Sequence, residues 1–555
     1  MSNSRPVMLV GFQNQGNLGL GYLAAVLRRS GYAVQVVDIE QDPVEIVRMA
    51  REINPILIGF SLIFQFFIDR YAALLYLLRS NGLDCHFTMG GHFPSLSYEQ
   101  TLELVPELDS VVRFEGEATL LEMVDAIEAG KDWREIHGLA YRDDEGRVTV
   151  TRPRALLEDL DQLPYPDREY EPEAVIGRSI MPILASRGCA RTCSFCSIHT
   201  FYRAAPGRIV RTRKPAEVVR EMEMLHEEHG TTIFLFQDDD FPLFGQVWRR
   251  WANEFVDELE RTGLSRKVIW KMNCRADAVD RDLFIRMRDA GLYLVYMGLE
   301  SGSEQGLETL HKQINVEQNL KAVETLKSIG LMFEYGFMLL DPSSTFESIR
   351  ENIQFLRTIL ADGCLPVTFC RMLPYDGTPI KDELVRTGRL RGDICNPDYD
   401  FLDPRIGEFY EALTGLVSLT GWIHGLKAVT TQLGWAWHEV ATMERLFPAL
   451  PGFEEYKETL RGITKRSNDL LLQVVEDLAY QFSDDKPALW TPEVVEEARE
   501  RFLDELLHER NSFVYANQDI LIETLESGGL TIIDDDEVEA SHPAPRAPST
   551  QAHPG

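Results

Sequence analysis

Six times between residues 181 and 371 an apolar, strand-like run gives way to residues rich in thiols, carboxylates or glycine, and then to an amphipathic helical stretch. The strand candidates are 181–186, 232–237, 268–272, 293–298, 332–339 and 366–371, with helices between them at about 215–228, 246–261, 281–290, 316–328 and 346–360. Repeated βα units require a parallel sheet. Six are too few for the eight-stranded barrel, and a partial (β/α)6 barrel accommodates them. Reactive groups in such barrels collect at the C-terminal strand ends. The unusual segments fall there each time: Cys189–Cys196, then Asp238–Asp240, Asn273–Asp277, Gly298–Gly302, Asp341–Thr345 and Leu373–Thr378.

The first of these segments carries the most chemistry. Cys189, Cys193 and Cys196 form a CxxxCxxC loop, short enough for three soft thiolates to wrap one corner of an iron–sulfur cubane. Such a set leaves one iron without a protein ligand, and an open position is where reaction takes place. The rival is a structural zinc site with His199 as fourth ligand. Zinc sites usually bring their second ligand pair from elsewhere, so one compact loop favours the cluster. The other cysteines (85, 274, 364, 370 and 395) are scattered and read as reduced thiols, not a disulfide framework.

Ahead of the barrel, Val7–Val10, Val34–Val37, Ile56–Phe60, Phe87–Met89 and Val111–Val112 read as buried parallel strands, with helices near 18–29, 43–52, 66–80, 97–105 and 118–129. Five such units predict a flavodoxin-like, doubly wound domain over 1–144. A Pro- and acid-rich linker at 145–178 follows, then the barrel at 179–400, a helical C-terminal region at 401–530 and a disordered tail at 531–555. The net charge of −32 argues against a nucleic-acid partner. No apolar run reaches the ~18 residues of a membrane span, and the N-terminus lacks a signal-peptide core, so a cytoplasmic location is expected. Gly19–Ala24 matches G-x-G-x-x-A, with Asp38 as an acidic strand end. Several residues separate that glycine from its strand, which counts against a dinucleotide turn.

Together these motifs resemble those of the cobalamin-binding radical S-adenosylmethionine (SAM) enzymes, the class B radical SAM methylases. The resemblance covers about residues 5–400. It implies that Cys189, Cys193 and Cys196 hold a [4Fe–4S] cluster whose fourth iron is chelated by SAM. It implies SAM contacts from Asp238, Asp239, Asp240, Arg275, Glu300 and Ser301. Four N-terminal segments at strand ends look like the family's cobalamin-binding segments, with Leu18, Gly19, Ser61, Gly90, Gly91, His92, Glu115 and Gly116 as contacts. The D-x-H-x-x-G motif that supplies a cobalt-ligating histidine is absent; Asp84-Cys-His86 is misplaced, so His86 reads as structural. Trp422, His424 and Trp435 are candidates for a substrate-facing cap, against a plain core role. The implied activity is C-methylation of a small molecule through a 5′-deoxyadenosyl radical and methylcobalamin, fed by a low-potential donor such as flavodoxin or ferredoxin. A radical cyclase, oxidase or rrearrangement enzyme without methyl transfer, and a non-catalytic metal- or corrinoid-binding sensor, are the alternatives.

Overall fold

The computed structural model describes residues 5–522 except 14–15, 171, 244 and 448, so the tail expected at 531–555 lies outside the described residues. The chain divides into two compact units, one of Met1–Glu173, Ser179–Asn352 and Phe369–Pro404, the other of Ala174–Arg178, Ile353–Thr368 and Arg405–Gly555.

The first unit opens with a seven-stranded sheet: β1 (Val7–Gly11), β2 (Val34–Asp38), β3 (Leu57–Ser61), β4 (His86–Gly90), β5 (Ser110–Val112), β6 (Leu139–Arg142) and β7 (Val148–Val150). Their spatial order is 2-1-3-4-5-6-7, the first five parallel. Alternation along β1 explains its unbroken apolar run: Val7 and Leu9 join one buried cluster, Met8 and Val10 the other. The strands β6 and β7 are antiparallel additions at the edge. Val148–Val150 therefore belongs to this sheet, although the linker was expected to begin at 145. Val148 and Val150 are exposed on it, so it carries no buried-strand signal.

A second parallel sheet follows. Six of its strands, Arg178–Ile183, Ile233–Phe236, Ile269–Arg275, Leu292–Glu300, Met332–Leu340 and Cys370–Arg371, lie side by side in chain order, which gives an open arc of barrel. The helices between them run over Pro215–His229, Gly245–Thr262, Arg281–Asp289, Val316–Ser328 and Phe346–Ile359. The sixth strand is shorter than the expected 366–371, because Leu365 and Val367 bond the Asn468 side chain instead, at 2.7 and 2.8 Å. The first strand ends earlier than expected, and Ser186–Arg187 forms a separate antiparallel pair with Arg211–Thr212.

The second unit is helical, built on Val429–Leu446, Phe453–Asp484 and Pro492–Ala516. Trp422 is fully buried there, edge-on to Phe502, and Trp437 donates to Thr464 Oγ1 at 3.0 Å.

Candidate active site at the barrel mouth

The cysteine loop leaves the first strand through Gly188, whose φ is +89° and where a Cβ would lie 2.0 Å from the Ile209 carbonyl oxygen. Neighbouring loops hold it. Ser194 N donates to Leu310 O, Ser194 Oγ to Thr309 O, and Ile380 N to Ser194 O, all within 3.0 Å. Cys189 Sγ accepts from Arg191 N at 3.5 Å and lies 3.9 Å from Asp240 Oδ2, and Cys193 Sγ faces Arg275 Nη1 at 3.6 Å. Burial, with Asp240 adding to it, pushes the Cys189 thiol up to about 12; burial pushes Cys196 up to about 11. Metal binding must therefore displace protons here.

Among the described residues no three His, Cys, Asp or Glu side chains converge on one point as ligands of a single metal ion. A cubane needs no such convergence, since each thiolate binds a different iron. His199, the zinc alternative's fourth ligand, turns Nδ1 to Cys196 O at 3.0 Å. The donor set fits a three-thiolate cluster.

The acidic triplet divides its work. Asp238 is buried: Oδ1 accepts from Ser186 Oγ at 2.5 Å and Oδ2 from Ala185 N at 3.2 Å, and desolvation lifts its carboxyl to about 7. It ties the second strand to the first and, contrary to expectation, offers no free face to SAM. Asp239 accepts from Gly188 N at 2.9 Å while remaining exposed at the mouth. Asp240 faces the Cys189 thiol. Arg275 is committed in three directions: Nε to Asp277 Oδ1 at 3.0 Å, Nη2 to Lys312 O at 2.5 Å, and Nη1 to Cys193. Its charge, expected to meet SAM, is thus already paired with Asp277. Ser301 turns inward to Asn352 Oδ1 at 3.0 Å and is 1% exposed, so it too does not reach the mouth. Glu300, at φ +64°, sits on an irregular step of the fourth strand and meets Lys312 Nζ.

On the first sheet the order 2-1-3 puts the topological switch between β1 and β3, the crevice where doubly wound sheets take ligands. Gly91 is required there: φ is +113° and a Cβ would lie 2.2 Å from Leu62 O. His92 packs on Phe201, ring centroids 4.4 Å apart, which brings it against the helix that follows the cysteines. Ser61 O accepts from Tyr71 Oη at 2.6 Å, Leu18 is buried, and Gly19 is exposed in the first helical turn. The helix starts seven residues after β1 ends, at Leu18 under an Asn17 cap, so the glycine pattern forms no phosphate turn. Gly90 and Gly116 are half-buried beside these segments. Glu115, expected to touch cobalamin, instead has both carboxylate oxygens on Arg211 Nη1, at 2.8 and 2.9 Å. The exposed apolar ledge of Ile63, Phe64 and Phe67 after β3 escaped the sequence reading. Solvent-facing aromatics in an irregular segment were its one signal, and such a ledge suits the apolar face of a corrin. His86, bonded to Ser110 Oγ at 2.8 Å, is structural.

In the helical unit, Trp422 is core and not a substrate surface, because its ring is wholly enclosed. His424 is exposed, and Trp435 is 43% exposed and stacks on His438.

Comparison with known proteins agrees with this architecture. Residues 5–124 match the B12 binding domain model and 183–356 the radical SAM superfamily model. An uncharacterized methyltransferase of Pyrococcus horikoshii is 29% identical over 379 residues, 67% of this chain and 79% of the relative. The anaerobic magnesium-protoporphyrin IX monomethyl ester cyclase of Rubrivivax gelatinosus is 30% identical over 355 residues, 61% of each chain. The cobalamin-dependent radical SAM enzyme OxsB, solved with aqua-cobalamin and SAM, shares the fold at TM-score 0.68 and 18% identity, over 97% of this chain and 83% of that one. The chain therefore carries a B12 binding domain followed by a radical SAM domain. Among the described residues no helix is long and apolar enough to cross a membrane.

Proposed function

We propose that this enzyme transfers a methyl group to an unactivated carbon of a small molecule. The carrying observation is the thiol trio Cys189, Cys193 and Cys196 at the C-terminal end of a parallel barrel, beside the ligand-binding edge of a B12-type sheet. Bound there, a [4Fe–4S] cluster supplies the electron that splits SAM into methionine and a 5′-deoxyadenosyl radical, and cobalamin carries the methyl group. The three thiols are the cluster ligands. Asp239, Asp240 and Glu300 face bound SAM. Gly90, Gly91, His92 and the Ile63–Phe67 ledge receive cobalamin, and a flavodoxin or ferredoxin is the electron source. The sheet that ends at Val150 and the barrel that begins at Arg178 are the two cofactor-bearing parts, joined by the segment between them.

The chain's own residues prepare this site. Ser194 and Gly188 fix the loop carrying the thiols, and Asp238 locks two strand ends beneath it. Arg275 sets a guanidinium against Cys193, a fixed positive charge beside the thiolate that iron binding creates.

Anaerobic purification with iron, sulfide and corrinoid analysis, then incubation with SAM and a strong reductant, tests the reading. Wild-type protein is expected to release 5′-deoxyadenosine, and replacing all three cysteines with alanine to abolish both iron and nucleoside release. Persistence of both in the variant overturns the reading. Resemblance to the cyclase supports a second outcome, radical oxidation without methyl transfer. Labelled SAM separates the two, because methylation adds one CH2 to the product.

A further inference from the structure

Arg187 and Arg211 stand directly opposite each other in the antiparallel pair beside the cysteine loop. Like charges so placed repel, and Arg211 is buried while the Arg187 side chain is only 11% exposed. Their compensation comes from the B12 domain. Arg187 Nη2 donates to Glu117 Oε1 at 2.6 Å and Nη1 reaches Glu115 Oε1 at 3.3 Å, while Arg211 Nη1 bonds both oxygens of Glu115. Glu115 Oε2 also accepts from Leu157 N at 2.8 Å. The side chains are 1–12% exposed. The Tyr22 ring lies under Arg187 at 4.8 Å and Tyr202 under Arg211 at 5.3 Å. Phe114, immediately before Glu115, is held at φ +68°, a conformation that non-glycine residues take only when their surroundings impose it. The left-handed turn at the end of β5 sends the glutamates toward the barrel.

Arg187 is two residues before Cys189, and Glu115 and Glu117 leave the same sheet edge that carries the proposed cobalamin contacts. We infer that Arg187 is a positioning residue: through Glu115 and Glu117 it fixes the separation between the cobalamin-bearing edge and the cluster loop. Plain adhesion between domains would not need the charges beside the first thiolate, since burying two arginines and two glutamates costs more desolvation than an apolar contact of similar size. Fixed, multiply bonded arginine geometry is what alignment of two reactive centres requires.

The inference rests on the function proposed above. Its test uses the full-length protein loaded with iron–sulfur cluster and cobalamin, as wild type, Arg187→Met, and the paired Arg187→Met/Glu117→Met, which removes a charge from each side and protects against a folding failure of the single variant. Three quantities are read: iron and corrinoid content, broadening of the cob(II)alamin EPR signal by the reduced cluster, and the ratio of S-adenosylhomocysteine to 5′-deoxyadenosine released from SAM. The first product needs SAM and corrinoid to meet across the two domains; the second needs the barrel alone. Both variants are expected to retain both cofactors and to release 5′-deoxyadenosine within about twofold of wild type. The product ratio is expected to fall at least about tenfold, and the EPR broadening to change. Unaltered broadening and ratio in the paired variant overturn the inference while leaving the proposed function standing. Wild-type protein without iron, corrinoid or nucleoside release overturns both.

Discussion

Lys312 Nζ lies 2.9 Å from Glu300 Oε1, and the charged tips of this pair occupy the space that a side chain at residue 298 would need. A Cβ at 298 would lie 2.5 Å from that Glu300 oxygen and 2.9 Å from Lys312 Nζ. Gly298→Ala must therefore displace one partner. With Lys312 4% and Glu300 13% exposed, a displaced charge cannot reach water without further movement. The variant is expected to lose about 2 kcal/mol of stability. It should weaken SAM binding about tenfold by equilibrium dialysis while keeping its iron. A wild-type dissociation constant would remove Glu300 from the proposed SAM contacts.

At Gly91 two constraints coincide, a left-handed φ and a backbone carbonyl within 2.2 Å of any added Cβ. Relief requires moving the segment after β3, which carries Ile63 and Phe64. Gly91→Ala is expected to cost about 1–3 kcal/mol in chemical denaturation and to lower the corrinoid content of the purified protein. Full corrinoid retention would place the cofactor elsewhere.

These two glycines mark what sequence reading reaches. Strand–helix alternation placed both sheets, because buried parallel strands are apolar throughout and each is followed by a helix of period 3.6. The cysteine loop was legible because its ligands are contiguous. Partnerships across the chain were not. Nothing in Asp-Asp-Asp distinguishes Asp238, folded back on Ser186, from Asp240 at the thiol, and Glu115 beside Gly116 gives no hint of Arg211 ninety-six positions away. The Val148–Val150 edge strand and the Ile63–Phe67 ledge were missed for a related reason: exposed strands and exposed aromatics both lack the periodicity that burial imposes.

His86 offers a pH-dependent check on the first sheet. Burial lowers its pKa to about 4 from 6.5, against a smaller opposing effect of Asp109, and its ring is edge-on to Trp133 at 4.6 Å. With the folded pKa below the unfolded one, the unfolded chain binds more protons between pH 6.5 and 4. Stability is therefore complete above pH 6.5 and declines as the pH falls toward 4, by at most about 3 kcal/mol from this group. Comparing denaturation midpoints at pH 7 and 5 should show a smaller acid loss in His86→Gln than in wild type. Equal losses would mean that the imidazole is already solvated.

Gln65 joins the turn after β3 to the sixth barrel loop: its Oε1 accepts from Asp376 N at 2.7 Å, and its Nε2 donates to Ile394 O at 2.9 Å. The side chain is 1% exposed, so neither partner can turn to water if it is lost. Beside it, Phe64 and Phe66 pack on Tyr375 with centroids 5.6 and 5.4 Å apart, and Asp376 in turn holds Lys381 at 2.6 Å. Gln65→Leu keeps the volume while stranding an N–H and a carbonyl, at about 1–3 kcal/mol each before relaxation. The loop should relax by opening, and the amide of Asp376 should exchange with solvent deuterium about tenfold faster, since ~1.4 kcal/mol of lost local stability corresponds to that factor. Exchange at the wild-type rate would mean that Asp376 N is protected by something other than Gln65. In that case the aromatic contacts with Tyr375, not the amide bridge, hold the sixth loop against the cobalamin-binding sheet.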